Sequence, residues 1–161
     1  MAAFSNAHAT DVYTRQTGVL KSDPMAMGVQ FKPDSGVYTH PTGDDGTGTI
    51  LLLQLPAGLV RIYPDNSRLV TSQFGSAATI SIGHAAYVDA ATGLPVSAST
   101  AALHSAGAAG SGALDTALGA PAAGVLELNS RDGVNIIATI ASGNIEAADT
   151  IRIMLEATRS V

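Results

Sequence analysis

From residue 49 onward the chain is cut into apolar runs of strand length, and each run is stopped by Pro, Gly, Asn or Asp. Residues 50–55 (ILLLQL) end at Pro56-Ala57-Gly58, where proline second and glycine fourth in a four-residue turn suit a type I geometry. Residues 59–63 follow and stop at Pro64-Asp65-Asn66, another cluster of turn formers. Residues 68–73 read as a strand. Residues 78–83 alternate, with Ile80 and Ile82 on one face and Thr79 and Ser81 on the other. The last third repeats the pattern. Residues 125–128 end at Asn129-Ser130-Arg131-Asp132-Gly133, and the Asp-Gly pair predicts a hairpin turn. Residues 134–141 end at Ser142-Gly143-Asn144. Residues 150–157 place Ile151, Ile153 and Leu155 opposite Arg152, Met154 and Glu156. Strands this short, separated by turn residues and without intervening long helices, predict an all-β chain. The spacing favours an antiparallel β-sandwich, jelly-roll-like, over a βαβ fold.

Two stretches depart from the pattern. Residues 84–123 are dominated by Ala, Gly, Ser and Thr with few large apolar side chains. They read as a long surface excursion with short helices over 99–105 and 113–118, kept short by glycines at 107, 110 and 112. Residues 1–48 carry Pro24, Pro33 and Pro41, which break any long helix. Short strands fit at 25–31 and 36–39. The apolar residues of this leader stand singly, as anchors would. It divides the chain into an extended N-terminal arm, 1–48, and a β-sandwich domain, 49–161. The alternative is a loose tail, or edge strands of the same domain.

Composition removes several function classes. The 161 residues have a formal net charge of −5, with eight Lys and Arg spread along the chain. A phosphate-gripping protein needs a concentrated basic footprint, so direct nucleic-acid binding is not expected. No apolar run approaches the roughly 20 residues that cross a bilayer, and no secretory signal pattern follows Met1, so a soluble chain without membrane contact is expected. There is no cysteine, hence no thiol nucleophile or cysteine-held zinc. The aromatic share is 4 % with no tryptophan, which argues against a stacking platform for sugars or single-stranded nucleic acid.

A search for chemistry finds no constellation. His8, His40, His84 and His104 lie far apart, without metal-ligand spacing. The segment Gly43-Asp44-Asp45-Gly46-Thr47-Gly48 lacks both the distal glutamate of a calcium loop and the Gly-Lys-Ser/Thr ending of a phosphate loop. No Gly-x-Ser-x-Gly elbow is present. The expectation is a non-enzymatic chain with no catalytic residue, metal or cofactor.

The block over 50–87 resembles small structural proteins of tailed bacteriophages. Those proteins carry a strand entering a Leu-Pro-Ala-Gly turn, a Phe-Gly and Ala-Thr-hydrophobic-x-hydrophobic-Gly strand, and an Ala/Gly-rich loop. The matching residues are Leu55-Pro56-Ala57-Gly58, Phe74-Gly75, Ala78-Thr79-Ile80 and Ile82-Gly83. Gly143 followed by Ile151-Arg152-Ile153 resembles their last strand. The likeness covers about two thirds of the chain and does not extend to the leader. It implies a virion component, a capsid decoration (cement) protein on the outer surface of the shell, assembled as a homotrimer and bound to the major capsid protein. In that reading the arm grips neighbouring capsid subunits through Phe4, Tyr13, Leu20, Met27 and Phe31, and the 84–123 excursion supplies trimer or capsid contacts. A head–tail adaptor or tail component is the alternative, and a sugar-binding sandwich a further one.

Overall fold

The computed structural model describes residues 3–5, 29–41, 48–119 and 124–160. Its strands are β1 (Ala3–Ser5), β2 (Val29–Phe31), β3 (Tyr38–Thr39), β4 (Gly48–Leu55), β5 (Gly58–Ile62), β6 (Arg68–Thr71), β7 (Thr79–His84) and β8 (Tyr87–Val88). The series continues with β9 (Pro95–Val96), β10 (Ser99–Gly107), β11 (Asp115–Ala117), β12 (Leu126–Ser130), β13 (Val134–Ala141), β14 (Thr150–Met154) and β15 (Ala157–Ser160). Two single 3-10 turns, Pro64–Asn66 and Ala109–Ser111, are the only helical elements among the described residues. The chain is all-β, and its sheets pack as a sandwich without closing into a barrel.

A five-stranded sheet runs β1-β4-β13-β7-β10, a second sheet runs β12-β5-β15-β2, and a third runs β11-β6-β14-β3. β8 and β9 form a hairpin. Pairing is antiparallel throughout except for β1 on β4. Strand pairs turn corners together. β4 pairs with β13 in the first sheet, and their continuations β5 and β12 pair in the second. The Asp132-Gly133 signal therefore marks a corner between sheets and not the predicted hairpin. Ser130 Oγ accepts the Gly133 N–H at 3.1 Å there, and a Cβ on Gly133 would lie 2.6 Å from the Leu55 carbonyl oxygen. A second corner carries β5 into β6 and β15 into β14, beside β2 and β3.

The core draws on every sheet. Ile50, Leu52, Leu53, Leu55, Ile80, Ile82, Ile136 and Ile140 come from the five-stranded sheet. Val60, Ile62, Leu128 and Phe31 come from the second sheet, and Leu69, Ile151, Ile153 and Tyr38 from the third. Within β4 the period-2 rule breaks once, at Leu52 and Leu53, which are both buried. Leu53 pairs with Ile136 and Leu51 with Ile137, so β4 has one residue too many at this point. Such a bulge resets which face each side chain takes, and it turns two successive leucines inward.

Two sequence expectations fail here. Residues 99–105 and 115–117 are strands, β10 and β11, not helices. Alanine favours a helix by only tenths of a kcal/mol over other residues, and pairing with β7 plus burial of Leu103 outweighs it. β10 crosses β7 so closely that a Cβ on Gly83 would lie 1.9 Å from the Ser99 carbonyl oxygen, so only glycine fits. The 84–123 stretch is thus partly core, through Leu103, Ala109 and Leu118. Secondly, residues 29–41 belong to the sandwich. β2 lies against β15, β3 lies against β14, and Phe31, Tyr38 and His40 are buried. The described part of the leader is the edge-strand alternative, and the domain begins before residue 49.

Candidate interaction surface

Serines do much of the polar work inside the fold, and they do it for the backbone of residues 150–156. Ser72 Oγ accepts the Thr150 N–H at 2.9 Å and donates to Asp149 Oδ1 at 2.9 Å. Ser35 Oγ accepts the Ile153 N–H at 3.0 Å. Ser67 Oγ accepts the Glu156 N–H at 2.9 Å and donates to the Tyr63 carbonyl at 2.8 Å. Each hydroxyl stands just outside a regular strand, and Ser35 and Ser72 also donate their own N–H to this segment, to the Ile153 and Thr150 carbonyls at 3.0 Å each. A buried N–H without a partner costs about 1–3 kcal/mol, so these contacts hold the last strands in place.

The described histidines are also tied to structure. Tyr38 Oη and His40 Nδ1 lie 3.0 Å apart in the core. His84 Nδ1 donates to the Ala85 carbonyl at 3.0 Å, and its ring meets Tyr87 edge-on. His104 Nδ1 donates to the Leu118 carbonyl at 2.9 Å. Among the described residues, no three His, Asp or Glu side chains come together to hold a metal ion.

The outward faces are laced by ion pairs that cross strands and loops. Arg61 Nε meets Glu127 Oε1 at 2.6 Å, Arg68 Nη2 meets Asp115 Oδ2 at 2.7 Å, and Arg152 Nε meets Asp34 Oδ1 at 3.0 Å. Lys32 pairs with Glu156 at 3.1 Å, and Arg131 with Asp132 at 3.0 Å. These contacts move the carboxyls. The Arg152 guanidinium holds Asp34 below the usual carboxylate range against the opposing effect of partial burial. Arg68 does the same for Asp115, and Lys32 with Gln30 for Glu156. A shallow groove of about 370 Å³ lies between Lys32, Asp34, Arg68, Met154 and Glu156. Each of its charged groups already has a partner.

Among the described residues, two large apolar side chains are exposed. Val37, just before β3, is 51 % exposed, and Leu94 is 64 % exposed. Leu94 sits in the β8–β9 loop, where residues 90–95 are all exposed. That loop is pinned from below. Asp89 Oδ1 accepts the Thr92 N–H at 2.8 Å, the Thr92 hydroxyl at 2.9 Å and the Ala91 N–H at 3.0 Å, which holds its carboxyl below the ordinary range. A firm turn therefore presents a leucine to solvent.

The five anchors expected from sequence are placed unevenly. Phe4 lies in β1, its backbone in register with Ile50. Tyr13, Leu20 and Met27 fall outside the described residues. Phe31 is corrected: its side chain is 9 % exposed and packed into the core, so it is spent inside this chain and not offered to a partner. Val37 and Leu94 were missed. Leu94 carried a signal, a large aliphatic residue in the Gly93-Leu94-Pro95 turn cluster, where no strand alternation could bury it. Comparison with protein-family models, curated proteins and solved structures found no match to this chain.

Proposed function

We propose that the protein is a capsid decoration (cement) protein, a virion component that binds the outer surface of the major capsid protein shell and stabilises the head as a homotrimer. One observation carries the reading. The described surface offers contact and little chemistry: its ion pairs are closed, while Leu94 projects from a stiff turn. The resemblance of residues 50–87 to small phage structural proteins gives that contact surface its partner. Attachment uses the leader before Val29 together with the β8–β9 loop. Each contact is weak, and several in one trimer sum to durable attachment through effective concentration. A net charge of −5 suits a place on the outside of the shell, away from packaged nucleic acid.

Two variants test the reading on purified capsids. Deleting residues 1–28 leaves every strand from β2 onward, and Leu94→Asp changes only an exposed tip. The expected result is at least a tenfold loss of capsid affinity in each, with the far-UV circular dichroism of the domain retained. Undiminished binding by both variants sinks the proposal. The head–tail adaptor reading is separated by labelling the protein in assembled particles, since decoration covers the shell and an adaptor marks one ring at the portal.

A further inference from the structure

β1 is held by a pairing that no turn enforces. It runs parallel to β4, with Ala3, Phe4 and Ser5 opposite Thr49, Ile50 and Leu51, at the edge of the five-stranded sheet. A parallel partner is never delivered by a tight hairpin and needs a long connection. Here residues 6–28 stand between β1 and β2. Fully extended they reach about 75 Å, at roughly 3.3 Å per residue. A domain of this size is on the order of 35 Å across. The same seat on an adjacent copy therefore lies within the contour length of this segment. The connecting segment holds Asp11, Arg15, Lys21 and Asp23, so its charges cancel and it meets no net repulsion from a neighbour of net charge −5.

We propose that β1 is an exchangeable strand: in an assembly of copies of this chain, residues 3–5 of one protomer occupy the seat along residues 49–51 of the next. The hydrogen bonds are the same within a chain and between chains, so their energies cancel in the comparison. What decides is the effective concentration of the two seats. An isolated chain uses its own. Copies held side by side offer the neighbour's seat at similar concentration, and each exchange then ties two protomers together through a continuous backbone. The inference rests on the homo-oligomer in the function proposed above, and it adds what links the copies.

The absence of native cysteine makes the test clean. The full chain carrying Ala3→Cys and Thr49→Cys is treated with a short thiol-to-thiol cross-linker and run on a denaturing gel, with light scattering of the same sample. Ser5→Cys with Leu51→Cys serves as a second registered pair, and each variant is used only if its melting temperature matches the parent. The expected result is that most cross-linked product migrates at two- and three-chain mass and that tenfold dilution of the intact oligomer leaves this share unchanged. Cross-links found only at single-chain mass, or no cross-link between these positions, overturn the proposal. Light scattering keeps the two readings apart. A trimer with cross-links only within chains refutes exchange and leaves the trimer standing, whereas a monomer with such links refutes the homotrimer and removes with it the assembly that exchange requires.

Discussion

Replacing Phe31 with alanine separates a core residue from an anchor. If Phe31 is a structural residue, the cost appears in the isolated protein, with no partner present. Its ring is 9 % exposed and packed in the common core, but it enters from β2 at the edge of the second sheet. A buried Phe→Ala change costs about 3–5 kcal/mol, and an edge position that collapses more easily belongs at the low end, about 3 kcal/mol. Area gives the same answer: roughly 120 Å² of extra apolar surface at about 25 cal/mol per Å² is about 3 kcal/mol. For a domain near this length each kcal/mol lowers Tm by about 2–4 °C, so the expected drop is about 6–12 °C. The chain has no tryptophan, so the melt is followed by far-UV circular dichroism and checked by urea titration. Phe31→Leu should recover most of the loss, to within about 1.5 kcal/mol of the parent. Val37→Ala, at a position 51 % exposed, should stay within about 0.5 kcal/mol. A Phe31→Ala protein melting within about 1 °C of the parent refutes the placement of this ring in the core.

Ser67→Ala should cost about 2 kcal/mol in urea unfolding, because it strands the Glu156 N–H at a site 1 % exposed, while the Tyr63 carbonyl keeps the Asn66 N–H; a cost below about 0.5 kcal/mol would mean that the hydroxyl is not the backbone's partner. Asp34→Asn tests the acid limb of stability. The Arg152 hydrogen bond depresses the folded-state pKa of Asp34 below its ordinary value of 3.8, so its contribution is present above that value and lost as pH falls through the lower, folded one. Parent and variant should differ by about 1 kcal/mol or less at neutral pH, since the pair is more than a third exposed, and the gap should close below pH 3.8 and shrink in high salt. A gap that widens on acidification contradicts the sign of the shift.

The strands that could be read from the sequence were those whose side chains state their own period. Ile80 and Ile82 against Thr79 and Ser81, and Ile151 and Ile153 against Arg152, are inward and outward as alternation requires. β10 was illegible because its Ser-Thr-Ala-Ala run carries one large core residue, Leu103, and alternation needs several. Gly83 gave no hint of the strand it accommodates, since that close contact comes from residues far along the chain. The β4 bulge hid for another reason: four apolar residues in succession, Ile50 to Leu53, suit a strand buried on both faces as well as one that is re-aimed midway. Phe31 was misread because a lone aromatic residue between prolines looks the same whether it pins a strand to its own core or to a partner.

The closed ion pairs on the outward faces also set how fast this protein meets others. Lys32, Arg61, Arg68, Arg131 and Arg152 each have a carboxylate beside them, so their fields largely cancel beyond the pair. What an approaching molecule feels from a distance is the uncompensated acidic remainder of −5. Two copies therefore repel weakly before they touch, and added salt should speed their encounter. A basic docking face should show the reverse, with association slowing as the Debye length falls from about 10 Å at 0.1 M toward 3 Å at 1 M. The sign of the salt dependence in an on-rate measurement thus reports the charge of the surface that this protein lands on.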